Sequence, residues 1–373
     1  MSIFLSVRSW IAGACLCCVA ISATATDYHI NVLATGLDKP WSIAELPARQ
    51  GFLVTEKSGQ LLRLSRDGSV STISGTPEVY FKSQGGLLDV VTDPAFTDNQ
   101  RIYLSYAGGD EDSNRTTVAS ARLVDQQLVD VSVILEVNPS KAKAAHYGGK
   151  LAFLPDGSLL VSVGEGFEYR EQAQSLDSEM GKLLRILPDG TAPADNPFPD
   201  RAPRVYSFGH RNPQGLAVDQ ASGTIWMTEH GPKGGDELNR IVAGNNYGWP
   251  AITYGVDYSG AIISPYTEAE GMEQPIVHWV PSIALSGLAI YRADGFPDWD
   301  GSLLIGALKD QKLYRLAPTE SGFEQSEPFP DVTGRIRDVR IASDGSIVAL
   351  SDEGSVYQIL PSSENDHKGA SHD

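Results

Sequence analysis

The sequence predicts an all-β chain, a six-bladed β-propeller of four-stranded antiparallel blades. Three observations lead there. Short apolar or alternating runs are separated by Asp-Gly, Ser-Gly and Asn-containing turns, the pattern of strands rather than helices. No long amphipathic helical stretch interrupts them. The runs also fall into units that repeat at a period near that of propeller blades. A pair of β-sandwiches is the competing architecture. It leaves the repeat unexplained, whereas radial closure protects the many strand edges.

The first unit reads Trp41 to Leu46, Gly51 to Thr55, Gln60 to Leu64 and Ser69 to Ile73. The second reads Gly86 to Val91, Arg101 to Tyr106, Thr117 to Leu123 and Leu128 to Leu135. The third has Lys150 to Leu154, Ser158 to Val163, Gly181 to Leu187 and Arg204 to Phe208, with Pro155-Asp156-Gly157 as its first turn. The fourth supplies Gln214 to Val218, Thr224 to Thr228 and Glu237 to Val242. The fifth supplies Gly287 to Tyr291, Gly301 to Ala307 and Lys312 to Leu316. The sixth has Arg337 to Ile341, Ser346 to Leu350 and Ser355 to Leu360, and lacks a fourth strand of its own. The strand-like run Tyr28 to Ala34 is left over, so the N-terminal strand is expected to close the last blade.

The ends carry other signals. Residues 1–25 read as an export signal: Arg8 is the one charge, Trp10 to Ile21 is apolar, and Ala23-Thr24-Ala25 forms a cleavage site. The apolar run is short for a membrane span, so stable membrane insertion is not expected. The mature chain is expected in the periplasm of a Gram-negative cell or secreted. Residues 26–362 form the expected propeller, and the polar residues 363–373 the expected disordered tail. All three cysteines, Cys15, Cys17 and Cys18, lie in the export signal, which leaves no disulfide framework and no thiolate chemistry. Removing the signal takes the formal net charge from −18 to −19. So acidic a surface argues against nucleic acid and anionic membranes as partners.

In an antiparallel meander, the loops entering first strands and those joining second to third strands share one face. Entering first strands are Gln84-Gly85-Gly86, His146-Tyr147-Gly148-Gly149, His210-Arg211-Asn212-Pro213 and Arg335-Ile336-Arg337. Joining second to third are Glu56-Lys57, Glu165-Gly166, Glu229-His230-Gly231-Pro232 and Leu308-Lys309-Asp310. The opposite face has plain turns, such as Ser222-Gly223 and Asp344-Gly345. The first face gathers Arg211, Lys309, Arg335 and Arg337 on an acidic protein. Guanidinium and ammonium groups in one place suit a small polyanion; the bland alternative pairs them with Asp338, Asp310 and neighbours. His146 has the chemistry of a general base, although a histidine beside Gly-Gly is often structural. Gly231-Pro232 can offer carbonyl oxygens to Ca²⁺, with Asp236 and Glu237 nearby, or form only a tight turn. A P-loop, a G-x-S-x-G elbow, an H-E-x-x-H pair and a dinucleotide fingerprint are all absent.

Gly209-His210-Arg211-Asn212-Pro213-Gln214-Gly215, Asn245-Asn246-Tyr247-Gly248-Trp249-Pro250, Gln84-Gly85-Gly86-Leu87-Leu88 and Arg335-Ile336-Arg337-Asp338-Val339 carry a family resemblance. Through them the chain resembles the soluble quinoprotein glucose/sorbosone dehydrogenases, over roughly Val32 to Leu360. The resemblance implies a six-bladed propeller that uses pyrroloquinoline quinone (PQQ) and Ca²⁺ to oxidise aldose sugars at C1 to lactones. It implies His146 as the base that takes the proton of the anomeric hydroxyl, with Arg211 polarising the quinone carbonyl. It implies Gln84, Arg211, Asn212, Lys309, Arg335 and Arg337 as PQQ-binding residues. Gly231 and Pro232 would ligate Ca²⁺, and Glu237 and Tyr247 a second calcium. An external electron acceptor must then reoxidise the cofactor. Ala145 replaces an acidic residue of the glucose enzymes, and the stretch from Pro250 to Pro281 is short. These departures point to the aldose sugar dehydrogenase branch and a monomer, with Trp279 and Ser282 expected to line the sugar pocket. Two other functions are compatible with the fold: a calcium-dependent hydrolase or lactonase, and a non-catalytic ligand-binding propeller.

Overall fold

A computed structural model describes residues 28–362. The expected export signal and polar tail lie outside the described residues. Six four-stranded antiparallel sheets follow one another along the chain. β1 (Tyr28–Ala34) is set aside for the end. Blade 1 is β2 (Pro40–Glu45), β3 (Phe52–Glu56), β4 (Leu61–Leu64) and β5 (Val70–Ile73). Blade 2 is β6 (Leu87–Thr92), β7 (Arg101–Gly109), β8 (Asn114–Val124) and β9 (Gln127–Glu136). Blade 3 is β10 (Gly148–Phe153), β11 (Leu159–Val163), β12 (Lys182–Ile186) and β13 (Val205–Phe208). Blade 4 is β14 (Pro213–Val218), β15 (Ile225–Glu229), β16 (Asp236–Ile241) and β17 (Val277–Trp279). Blade 5 is β18 (Leu285–Ile290), β19 (Leu303–Ala307), β20 (Lys312–Thr319) and β21 (Gly322–Ser326). Blade 6 is β22 (Ile336–Ile341), β23 (Ile347–Ser351), β24 (Val356–Pro361) and β1.

The ring closes twice. β1 pairs with β24, from Tyr28 opposite Pro361 to Val32 opposite Tyr357. The inner strands also form a circle: β2 touches β6, then β10, β14, β18 and β22 follow, and β22 returns to β2. Two fourth strands, β17 and β21, escaped the sequence reading. β17 is three residues long and follows a long excursion, and β21 is Gly-Phe-Glu-Gln-Ser on an outer edge. An edge strand buries little, so apolar alternation is not required of it.

Period-two alternation explains the core. Ile43, Val90, Leu151, Leu216, Leu288 and Val339, one from each inner strand, are at most 2% exposed. Each belongs to a different interblade cluster. Burying one such side chain contributes about 1.5–3 kcal/mol, so these six positions weld the blades together.

The residues just before them face the axis. Each of the six inner strands carries a β-bulge at its N-terminal end, a device that bends a strand and re-aims its side chains. Below the bulges, Ser42, Asp89, Lys150 and Asp338 meet from four blades. Lys150 Nζ donates to Asp338 Oδ1 at 2.9 Å. Arg340 Nη2 reaches Asp89 Oδ1 at 3.1 Å and Asp338 Oδ2 at 3.2 Å. Blade 5 makes room with Gly287, where a Cβ would fall 2.4 Å from Asp338 Oδ1. The network pairs two cations with two carboxylates and seals the axis beneath the site.

Candidate active site

Above that seal lies a cavity of about 390 Å³. Loops entering first strands, together with the first residues of those strands, contribute Lys39, Trp41, Gln84, Gly148, Asn212, Gln214, Arg335 and Arg337 to its wall. Loops joining second to third strands contribute Lys57, His230, Leu308 and Asp352. The two loop sets that the sequence assigned to one face therefore do converge there.

The lining is electropositive. Lys39, Lys57, Arg335 and Arg337 stand against one carboxylate, Asp352. Arg337 grips Asp352 with two bonds, Nε to Oδ1 at 2.7 Å and Nη2 to Oδ2 at 3.0 Å. Arg335 Nε adds a third at 3.0 Å. Burial would raise the Asp352 carboxyl, but Arg337 and Arg335 hold it below the ordinary carboxylate range. Burial, then the neighbouring Arg337, pushes the Lys57 ammonium down. Pairing with Asp338 and Asp310 is not what happens: Asp338 serves Lys150 and Arg340, and Asp310 accepts from the Tyr314 hydroxyl.

His146 sits at the end of its loop with φ of 50° and is 4% exposed. Its N–H donates to Gln84 Oε1 at 2.8 Å. Its Nδ1 lies 3.1 Å from Glu165 Oε1, and Phe167 meets the ring edge-on at 5.1 Å. Burial pushes the imidazole pKa down, against the Glu165 hydrogen bond that raises it. A carboxylate at Nδ1 selects the tautomer with Nε2 as the free base. Beyond Tyr147, Gly148 and Gly149 have φ of 67° and 93°. A Cβ on Gly149 would lie 2.6 Å from Leu88 Cδ1, so the pair serves a tight strand start.

Arg211 is fixed from several sides. Its backbone N–H donates to Glu229 Oε2 at 2.6 Å. Nη1 donates to the carbonyls of His230 at 2.9 Å and Gly231 at 2.7 Å. The guanidinium lies 5.2 Å from the Trp249 ring centre. Asn212 is 3% exposed and lines the axial cavity. Lys309 is turned away: its ammonium donates to Ser282 O at 2.8 Å, and its neighbour Leu308 takes the place on the wall.

Around Gly231 and Pro232 the donors differ from the sequence expectation. Asp236 is fully buried and spent on structure. It accepts from the N–H groups of Gly231 at 3.0 Å, Ile283 at 2.9 Å and Ala284 at 2.6 Å. Glu237 is pushed up to about 8, first by burial and then by Glu229. Asn239 Nδ2 bridges the two acids, 3.1 Å from each. The Tyr247 hydroxyl is committed to Arg240 O and Val242 N–H, which leaves its main-chain carbonyl as donor. Among the described residues no three His, Cys, Asp or Glu side chains form a ready metal cluster. Trp279 and Ser282 do not line the axial cavity; they bond Gln325 and Asp236.

Four residues escaped the sequence reading as site groups: Lys39, Lys57, Asp352 and Glu165. Lys57 and Glu165 were within reach, because both occupy second-to-third loops on the face already singled out. Beside the axial cavity, Glu165, Phe167, Arg170, Arg211, Trp249 and Tyr258 help to line a second one of about 260 Å³.

Comparison with known proteins gives a consistent picture. The family described as glucose/sorbosone dehydrogenase matches residues 37–358. The aldose sugar dehydrogenase YliI of Escherichia coli strain K12 is 40% identical over 347 residues, covering 90% of this chain and 93% of that protein. The solved apo-form of the soluble aldose sugar dehydrogenase from Escherichia coli superposes with a TM-score of 0.84 at 38% identity, over 90% of this chain and all of that one. The PQQ-bound aldose sugar dehydrogenase of Streptomyces coelicolor superposes with a TM-score of 0.73 at 26% identity, over 90% of this chain and 98% of the other.

Proposed function

The chain belongs to the glucose/sorbosone dehydrogenase family and is an oxidoreductase; we propose that it oxidises aldose sugars at C1 to lactones, with PQQ in the axial cavity. The observation that carries this reading is the charge of that cavity, four cations against one carboxylate in an acidic protein. PQQ is a planar tricarboxylate, and such a lining suits it. A calcium-dependent hydrolase would leave these cations without a task.

When bound, PQQ supplies the electrophilic carbonyl that accepts hydride from the sugar. The residues do the rest. His146 Nε2 takes the proton of the anomeric hydroxyl, while Glu165 keeps Nδ1 protonated and the ring in place. Arg211 and Asn212 present donors where negative charge develops. Gln84 orients the site through the His146 backbone. Arg335 and Arg337 would hold cofactor carboxylates, and Lys309, whose ammonium donates to Ser282 O here, would be the further cation of that set. The carbonyls of Gly231 and Pro232 would be the protein's neutral oxygen donors to Ca²⁺, which would supply Lewis-acid polarisation at the site. Glu237 and the Tyr247 carbonyl are the donors for a second Ca²⁺. That role fits the crowding of Glu237 against Glu229, which a cation would relieve.

We further propose export, a monomeric enzyme and an external electron acceptor. The described residues contain no helix long and apolar enough to cross a membrane. The test is to prepare the mature chain free of cofactor, add PQQ with millimolar Ca²⁺, and follow dye reduction with a panel of aldoses. PQQ-dependent turnover that collapses in His146→Ala is the expected result. Failure to bind PQQ would overturn the reading.

A further inference from the structure

Lys141 is a buried cation for which the proposed reaction has no task. Long cationic side chains ordinarily reach out to water. Lys143, two residues on, does so and pairs with Glu168 at 3.0 Å. Lys141 turns inward and is 5% exposed. Its Nζ donates to the carbonyl of Lys143 at 2.7 Å and to Asn114 Oδ1 at 3.1 Å. It also stands 3.4 Å from the centre of the Tyr147 ring. Two oxygens and one π face take up its three N–H donors, so the site is built for an ammonium.

The groups around that ammonium are themselves fixed. Asn114 is fully buried, and its Oδ1 also accepts from the Tyr147 hydroxyl at 2.6 Å. Its Nδ2 donates to the carbonyls of Asp110 at 3.0 Å and Ala142 at 3.1 Å. The backbones of Asn114 and Lys141 exchange two hydrogen bonds, both at 2.8 Å. Thr116 Oγ1 donates to the carbonyl of Tyr147 at 2.7 Å. Asn114 and Thr116 belong to β8, so blade 2 clamps the loop that enters blade 3 and carries His146.

Lys141 touches both sides of the His146–Glu165 pair. Tyr147, beneath the ammonium, follows His146 in the chain. Gly166, against the aliphatic stem, follows Glu165. A Cβ on Gly166 would fall 2.8 Å from Lys141 Cδ and 3.0 Å from Tyr169 Cδ2. Lys141 itself lines neither cavity.

The charge acts on the imidazole as well. Glu165, Arg211 and Lys141 are the charged groups that face it, and Phe167 and Tyr147 are its uncharged ring neighbours. Burial has the largest influence and lowers the His146 pKa; Glu165 raises it, and Arg211 and Lys141 lower it. Burial pushes Lys141 down to about 7, against Glu165. It is therefore still charged where His146, held below its ordinary value, titrates.

We infer that Lys141 is a positioning residue for the general base: its ammonium steadies the Tyr147 side of His146, and its stem steadies the turn that brings Glu165 to Nδ1. The inference rests on the proposed aldose oxidation with His146 as base.

The test compares the wild type, Lys141→Met and Lys141→Arg as PQQ- and Ca²⁺-loaded enzymes with glucose. Methionine keeps most of the stem and removes the charge. In Lys141→Met kcat should fall about tenfold, as for one lost charge-assisted hydrogen bond. KM should stay unchanged, because Lys141 does not reach the cavities. The acid limb of kcat should move to higher pH. The base works as neutral imidazole, and losing a cation that lowers its pKa makes it protonate earlier as pH falls. Loss of Glu165 would move the limb the other way. Lys141→Arg keeps the charge and should leave the limb in place. Unchanged kcat in Lys141→Met would overturn the inference. So would a loss of kcat, PQQ binding and melting temperature together with an unmoved limb, the mark of a purely structural residue. A second readout needs no turnover. The His146 imidazole is titrated by NMR in cofactor-free protein, its signal identified by its loss in His146→Ala. A higher pKa in Lys141→Met supports the role, and an unchanged one overturns it. If no aldose is oxidised while the titration still moves, the aldose-oxidation reading fails and the coupling of Lys141 to His146 stands.

Discussion

His146 Nδ1 stands 3.1 Å from Glu165 Oε1, and one blade later His210 Nδ1 stands 3.1 Å from Glu229 Oε1, the partners nineteen positions apart in both cases. The propeller repeats the pair because each blade repeats the two loops that hold it. Chemistry separates the copies. His210 is wholly buried, its Nε2 bonded to Ser207 Oγ at 2.8 Å and its ring stacked on Tyr247 at 4.7 Å. His146 keeps Nε2 free of hydrogen bonds among the described residues, and its neighbours line both cavities, Gln84 and Tyr147 the axial one and Glu165 and Phe167 the lateral one.

Glu165→Gln should lower kcat by roughly 10²-fold, the usual worth of a well-placed general base. The pH profile tells a lost base from a lost fold. In the proposed reaction His146 acts as a neutral base, and burial already holds its pKa below the ordinary value. Activity is therefore lost as pH falls through that lowered pKa. Removing Glu165 removes the hydrogen bond that raises it, so the acid limb should move to still lower pH.

Arg337→Ala and Asp352→Asn should act in opposite directions on PQQ affinity. The first removes a charged donor and leaves Asp352 half-paired; PQQ binding should weaken by about tenfold or more, as expected for a charge-assisted hydrogen bond. The second frees the Arg337 fork and removes the one carboxylate in the lining, so binding should tighten. Titration of cofactor-free protein, followed by absorbance at low and high salt, checks both.

Lys150→Met should destabilise the fold by about 3–5 kcal/mol, the cost of stranding one member of a buried ion network. Urea denaturation measures it. Asp338→Asn should change the pH dependence as well. Burial raises the Asp338 carboxyl, but Arg340 and Lys150 outweigh it and keep its pKa low. That carboxylate contributes stability above the unfolded pKa, and the contribution is lost as pH falls through the folded value. The variant should lack this part of the acid limb.

Ca²⁺ should raise the melting temperature of the cofactor-free wild type, through the Glu237 carboxylate and the Tyr247 carbonyl. Glu237→Gln should abolish most of that rise while keeping the fold, since Asn239 and Glu229 still bond each other. An equal Ca²⁺ response in both proteins would remove Glu237 from the ligand set.

Much of the molecule was legible before folding because its signals are local. Apolar alternation and turn residues marked nearly every inner and middle strand, and the spare run Tyr28–Ala34 announced the closure that β1 makes with β24. Meander topology alone then sorted Gln84, His146, Asn212, Arg335 and Arg337 onto one face. β17 and β21 were illegible because edge strands bury too little to need a pattern.

The chain by itself determined the blade count, the closure and the face that carries chemistry, for these follow from periodicity and chain order. Only the tertiary structure decided which charges meet. Asp338, next to Arg337 in sequence, points below the bulge to Lys150 and Arg340, whereas Asp352 from the following loop takes Arg335 and Arg337. Lys309 shares the face and still bonds Ser282. The reason is geometric. Coulombic and hydrogen-bond energies are set by distances of a few ångströms, and those distances arise only when six blades and six bulges turn their side chains toward one axis.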